Sequence, residues 1–286
     1  MTATTASRHG FALLTVLWLI ALLGGVTGGL LVLVRREQQL SANRGVITRI
    51  QWAENACLAI LQARYAGHPD IRTVDSTDLG RGVWCHAAVT DLAARVNLNL
   101  ASGAMLRAVL GSDSLAAAVL DWRDADAVAD AQGAERPWYA ARQRDGPRNA
   151  PFRSVRELLL VRGFETAPPM WLDSVFTVEG DGRINPNLVA PAVLRGLPGL
   201  DAEAIHMIAM GPSIAGLDQL MGRVSSASRR GMASAYRELS AQLAFQPAWL
   251  EARLDAGVEG SAVRAAERVL LVPLESRLAV ISRQPW

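Results

Sequence analysis

Residues Phe11 to Val34 read FALLTVLWLIALLGGVTGGLLVLV, with no charge, no proline and nothing more polar than Thr15 and Thr27. At about 1.5 Å per helical residue this run reaches roughly 36 Å, enough to cross a hydrocarbon core of about 30 Å with some tilt. It reads as one membrane helix, so the chain after Arg35 lies on one side of a membrane. A secretory signal has a shorter apolar part and closes on a small-residue cleavage site. Here the run continues straight into a charged segment. Arg35, Arg36, Arg44 and Arg49 follow the span while Arg8 stands almost alone before it, and charge counting does not decide the orientation.

The polar leader MTATTASRHG ends in Gly10, and the apolar run starts at Phe11. This boundary resembles a type IV prepilin, in which a prepilin peptidase cuts after the glycine on the cytoplasmic side and methylates the new N-terminus. The resemblance implies processing between Gly10 and Phe11, a single pass through the inner membrane and a periplasmic C-terminal body. An ordinary signal anchor is the other reading of the same residues. Most pilin-type chains carry a glutamate as the fifth residue after the cut, and here that position is Thr15. A carboxylate within lipid is costly and is kept only with a partner. A chain lacking it resembles the minor pseudopilin K of the type II secretion system.

About 250 residues follow the span, enough for one large domain or two small ones. All 29 basic residues are arginine and the net charge is +2, which speaks for a compositional bias and against a nucleic-acid surface, where the charge would be clustered. From Arg35 to Gly67 an apolar stripe of Leu40, Val46, Ile50, Ala53, Cys57, Ile60 and Leu61 keeps helical spacing. The membrane helix is therefore expected to continue as an amphipathic rod over 35–66. Val83, Cys85, Ala87 and Val89 then alternate with Trp84, His86 and Ala88 as in a strand. Cys57 and Cys85 lie 28 residues apart. In a periplasmic body a disulfide could tie the helix end to this strand, with a loop-entropy contribution of roughly 3 kcal/mol; two separate buried thiols are the alternative. Zinc is disfavoured, because paired ligand spacing is missing.

A repeat follows. Arg95-Val-Asn97-Leu-Asn99-Leu returns 88 positions later as Arg183-Ile-Asn185-Pro-Asn187-Leu, each copy an extended segment leading into a helix that an asparagine could cap. Both copies resemble the paired Asn-x-Asn segments that bracket the helical insertion of K pseudopilins. The second runs on as a stretch similar to a helix-hairpin-helix over Leu197–Ile205. Its hairpin reads Gly199-Leu200-Asp201, and an acidic side chain there would repel phosphate, which favours a structural hairpin over DNA binding.

Between the copies, Asp121, Asp124, Asp126 and Glu135 place four hard oxygen donors at a helix end and in the loop behind it. From the residues alone this is a calcium site if they converge, a solvated acidic turn, or least of all a catalytic pair; the spacing is not that of an EF-hand. The segment resembles the K pseudopilin insertion at Asp121, Trp122, Asp124, Asp126, Gly133, Ala134, Glu135, Tyr139, Pro151, Phe152, Ser154, Glu157 and Leu158. That resemblance implies calcium bound in this region. Ser154 with Glu157 also fits a capping box.

Three alternating stretches after residue 247 complete an antiparallel sheet with the strand at Val83. The expected fold is α+β: a long N-terminal helix packed on a small antiparallel sheet (80–91 and 247–286), with a large all-α insertion over 92–246. No nucleophile motif or phosphate loop is present, and the four histidines are scattered. The resemblance implies a non-enzymatic assembly subunit at the tip of the type II secretion pseudopilus, with the minor pseudopilins I and J, other pseudopilins and the prepilin peptidase as partners and no nucleic acid. A type IV pilus or competence minor pilin that touches DNA through the hairpin, and a membrane-anchored enzyme, are the competing readings.

Overall fold

In the computed structural model, which describes residues 8–68 and 73–285, α1 runs unbroken from Arg8 to Gly67. Of the expected leader, residues 1–7 lie outside the described residues, and Gly10 and Phe11 are described only as helix backbone. Two halves of α1 meet different surroundings. From Leu13 to Val34 every large apolar side chain is exposed, Trp18 at 69% and Leu13 at 67% among them, the pattern of a helix whose solvent is lipid. From Ile50 onward one stripe is buried: Ile50, Ala53, Cys57, Leu58, Leu61 and Tyr65.

That stripe packs on a five-stranded antiparallel sheet. Strands β1 (Thr73–Gly80) and β2 (Val83–Asp91) precede the insertion, and β5 (Leu250–Val258), β6 (Arg264–Leu274) and β7 (Arg277–Pro285) follow it, in the spatial order β1-β2-β5-β6-β7. Val83, Cys85, Ala87 and Val89 of β2 and Leu250, Ala252, Leu254 and Ala256 of β5 face the helix, as period-two alternation requires. His86 stands on the other face, half-buried. The sheet holds one strand more than the four expected. β1 reads TVDSTDLG, buries only Val74 and is bulged at two places, so it carries no alternating apolar signal.

The chain leaves the sheet after Asp91 and returns at Leu250 into neighbouring strands, with Leu92 N–H donating to the Trp249 carbonyl at 3.0 Å. The insertion holds β3 (Val96–Asn97), α2 (Gly103–Leu110), α3 (Asp113–Arg123), α4 (Arg136–Ala140), α5 (Pro169–Val175), β4 (Phe176–Thr177), α6 (Pro191–Leu194), α7 (Ala202–Met210), α8 (Leu217–Arg223), α9 (Ser226–Ser234) and α10 (Tyr236–Gln242). It is helical as expected, with two short parallel pairings added: β3 with β4, and Ile184 with Leu243. Its core, from Leu98 and Trp122 to Leu220 and Met232, is separate from the core between α1 and the sheet. Arg95 joins the two bodies through Glu251, buried on β5, at 3.0 Å; Arg268 of β6 approaches the same carboxylate at 3.5 Å.

The repeated segments are built alike. In the first, Asn97 Oδ1 accepts the Asn99 N–H (2.9 Å), while the Asn99 amide donates to the Phe152 carbonyl (3.0 Å) and accepts the Phe152 N–H (2.7 Å). In the second, Asn185 accepts from Asn187 N–H (3.1 Å), and Asn187 donates to and accepts from Ile214 (2.9 Å each). The asparagines thus do not cap the helices that follow. The first closes its own turn, as Asn side chains readily do, and the second staples a distant loop. Ser102 is the N-cap of α2, accepting from Met105 N–H at 3.2 Å.

Candidate metal centre

Helix α3 is apolar on the side that carries Ala116, Val119 and Trp122, and it ends where Asp124 leaves helical conformation. Beneath this end Trp122 stacks on Phe152 (ring centroids 6.4 Å, 21°) and meets Tyr139 edge-on (5.6 Å, 69°). The aromatic group fixes the α3 end against α4, whose N-cap is Glu135. The carboxylates sit above it.

Asp124, Asp126 and Glu135 each bring a carboxylate oxygen to within 4.8 Å of the others. Asp121, one turn earlier on α3, is not part of that group. It is 1% exposed, its Oδ1 accepts the Asp130 N–H at 3.2 Å, and its carboxylate fills the space where a Cβ on Gly133 would stand. Asp121 therefore folds the loop, and only glycine fits at position 133. From the other side, Arg162 donates to the Gly133 carbonyl at 2.8 Å while its guanidinium lies 5.2 Å from the Trp138 ring centre. The Asn149 side chain holds the Asp126 carbonyl.

Electrostatically the cluster is uncompensated. Burial raises the pKa of Asp124, and the charges of Asp126, Asp121 and Asp130 raise it further, against a smaller lowering by Arg123. Burial likewise raises Glu135, with Asp121, Asp124 and Asp126 adding to it after a partial offset from the Arg136 N–H. Asp121 is raised for the same first reason, offset in part by the Asp130 and Ala134 backbone. Arg123 faces away, donating to the carbonyls of Leu98 and Ala101. Among the described residues, Asp121 Oδ2, Asp124 Oδ1 and Glu135 Oε1 are buried with no hydrogen-bond partner. Buried polar atoms are rarely left so. An all-oxygen donor set with spare lone pairs, at the negative end of a helix dipole, suits a hard divalent cation, and calcium accepts such irregular geometry.

Residues 87–175, which include this loop and the first Asn-x-Asn segment, match the family model described as Type II secretion system (T2SS), protein K. Over this segment the chain is similar to protein K of the type II secretion system. A chain in the crystal structure of the GspK-GspI-GspJ complex from the enterotoxigenic Escherichia coli type 2 secretion system has the same fold, with a TM-score of 0.64 at 16% identity, covering 88% of this chain and 99% of that one. No curated protein matches by sequence.

The other residues singled out from the sequence lie outside this loop. Cys57 and Cys85 are both fully buried and free, face to face between α1 and β2, and burial followed by the Cys85 neighbour pushes the Cys57 thiol up. In the hairpin, Gly199 has φ +73° and lies against α9, where a Cβ would come within 2.7 Å of the Gly231 carbonyl. Asp201 caps α7 through the Ala204 N–H (2.9 Å) and accepts from Ser228 (2.5 Å), which holds its pKa down. The hairpin joins α6 to α7, with its glycine packed against α9. His206 is exposed on α7. The capping box does not form: Ser154 makes no side-chain cap, and Glu157 instead accepts from Trp122 (3.0 Å) and Arg148 (3.1 Å). The staples to Phe152 and Ile214 had no sequence signal, because their partners lie 53 and 27 residues away, at unequal distances.

Proposed function

We propose that this chain occupies the tip of the type II secretion pseudopilus, joined to the minor pseudopilins I and J, and takes part in secretion across the outer membrane. The observation that carries this reading is the attachment of the insertion. It enters and leaves through neighbouring strands β2 and β5 and is tied down by half-buried Arg95 on the buried Glu251 carboxylate, which fixes its bulk over one end of the sheet. A fixed mass there would block a further subunit from stacking above. Thr15 fits the same position, since a subunit with none above it has no neighbouring amine to neutralise.

In this reading the peptidase cuts after Gly10 and methylates Phe11, Phe11–Val34 anchors the chain in the inner membrane until assembly, and the body stands in the periplasm. The role is structural and not catalytic. Asp124, Asp126 and Glu135 would hold calcium, with Asp121 shaping the loop behind them. What supports this is the orphaned buried oxygen on Asp124 and on Glu135 together with their convergence. A bound divalent cation would neutralise three carboxylates that otherwise repel one another.

Co-expression with candidate I and J pseudopilins and purification through a tag on J tests the assembly reading. A stable complex of all three is expected, and recovery of an I–J pair without this chain would overturn it. Calorimetric titration of the full chain in detergent is expected to give heat with calcium that is lost in an Asp124→Asn, Glu135→Gln variant; no heat at millimolar calcium would remove the metal site.

A further inference from the structure

We infer that Cys57 and Cys85, facing thiols not linked in this structure, are oxidised in the assembled protein to a disulfide that bolts the periplasmic half of α1 to the sheet. Both residues are completely buried in one core, Cys57 on the inward stripe of α1 and Cys85 on the inward face of β2. Their surroundings are small. Ala53 precedes Cys57 by one helical turn, Ala87 follows Cys85 on the same face of β2, and Ala256 lies opposite Cys85 on β5, all fully buried. Alanines at a helix–sheet crossing let the two backbones approach, which is the condition for two cysteine side chains to bridge. The pair is not half of a metal site, since His86 points to the opposite face and the carboxylate cluster belongs to the other core.

The inference rests on the periplasmic placement of the body, because thiols persist as disulfides in that compartment and not in the cytosol. Formation breaks two S–H bonds and makes one S–S bond. The two electrons and two protons pass to the disulfide of a periplasmic thiol–disulfide oxidant, which leaves as a dithiol, through a mixed disulfide. Because burial raises the Cys57 thiol and closes both residues from solvent, the exchange takes place before the core closes. The consequence is mechanical. When the apolar half of α1 is drawn from the bilayer, load passes to the head where α1 meets the sheet, and a covalent link holds there after non-covalent contacts would slip.

The test uses the full chain made in a Gram-negative host with its prepilin peptidase, denatured without reductant, alkylated and digested. A linked peptide pair carrying Cys57 and Cys85, two hydrogens lighter than the sum of its parts, is expected; both peptides recovered alkylated would overturn the inference. Protease added to spheroplasts separates the two levels. A digested body with free thiols removes the disulfide alone, whereas a protected body with free thiols removes the periplasmic placement as well. Chain refolded in reductant should melt roughly 10 °C lower than the oxidised form. Cys57→Ala and Cys85→Ala should each abolish that difference, and an unchanged melting temperature would also count against the link.

Discussion

The two Asn-x-Asn segments share a sequence and a hydrogen-bond pattern, yet they serve different parts of the molecule. In the first, Arg95 reaches out of the insertion to buried Glu251 on the sheet, and Asn99 staples Phe152, which stacks on Trp122 beneath the carboxylates. In the second, Arg183 donates to the Ser240 carbonyl at an exposed site, and Asn187 staples Ile214 between α7 and α8, away from any acidic cluster. Their helices α2 and α6 pack on each other. The difference teaches that the repeated asparagines fix the backbone, while the consequence lies in what each copy staples: the first holds the insertion to the sheet and shapes the carboxylate loop, and the second completes the helical core.

Substitutions at matching positions should therefore diverge. Arg95→Met removes the nearer of two arginines on a buried carboxylate, leaving Arg268 at 3.5 Å, and should cost about 2 kcal/mol in urea unfolding, while Arg183→Met, at an exposed carbonyl bond, should stay within about 1 kcal/mol. Equal effects would break the contrast. Next, Asn99→Ala and Asn187→Ala each orphan a buried N–H and C=O, and each should lose about 2–3 kcal/mol. Only Asn99→Ala should also weaken calcium binding, as read by calorimetry.

Acidity sharpens the contrast further. Asp121, Asp124 and Glu135 have pKa values raised by burial, so in the window above their ordinary carboxylate range the folded state holds more protons than the unfolded state. The contribution of these three groups to the stability of the metal-free protein should then fall as the pH rises from the acid side through the raised values, a trend that Asp124→Asn with Glu135→Gln should flatten. At the proposed calcium site the ion would need deprotonated ligands, so calcium should restore about 2.7 kcal/mol at a hundredfold excess over Kd near neutral pH, with little effect near pH 4. Thermal melts across pH, with and without calcium, check the sign. The smallest effect concerns the caps. Ser102 caps α2, and its counterpart five residues after Asn185 is Ala190, which gives α6 no side-chain cap. Ser102→Ala should cost about 1 kcal/mol and Ala190→Ser should gain about 0.5 kcal/mol.

The parts of this architecture legible from sequence were those written in periodicity or identity: the apolar half of α1, its amphipathic continuation, the alternation from Val83 to Val89, and the repeat. Strand β1 was not, because an edge strand that buries one side chain needs no pattern. The roles of the asparagines were misread because local spacing suggests a cap, whereas their partners at Phe152 and Ile214 are set only by the tertiary fold. At the carboxylate cluster, spacing put Asp121 on the same helix end as Asp124. One further turn of α3 buries it and turns it toward Gly133, a distinction that residue type cannot carry.

The most direct test of the account is the mature N-terminus of the full chain, expressed with and without its prepilin peptidase and read by mass spectrometry. A methylated Phe11 start that appears only with the peptidase, and is lost when Gly10 is replaced by a bulky residue, is the expected result. A chain still beginning at Met1 or Thr2 in the presence of active peptidase would contradict it and reduce Phe11–Val34 to a plain anchor.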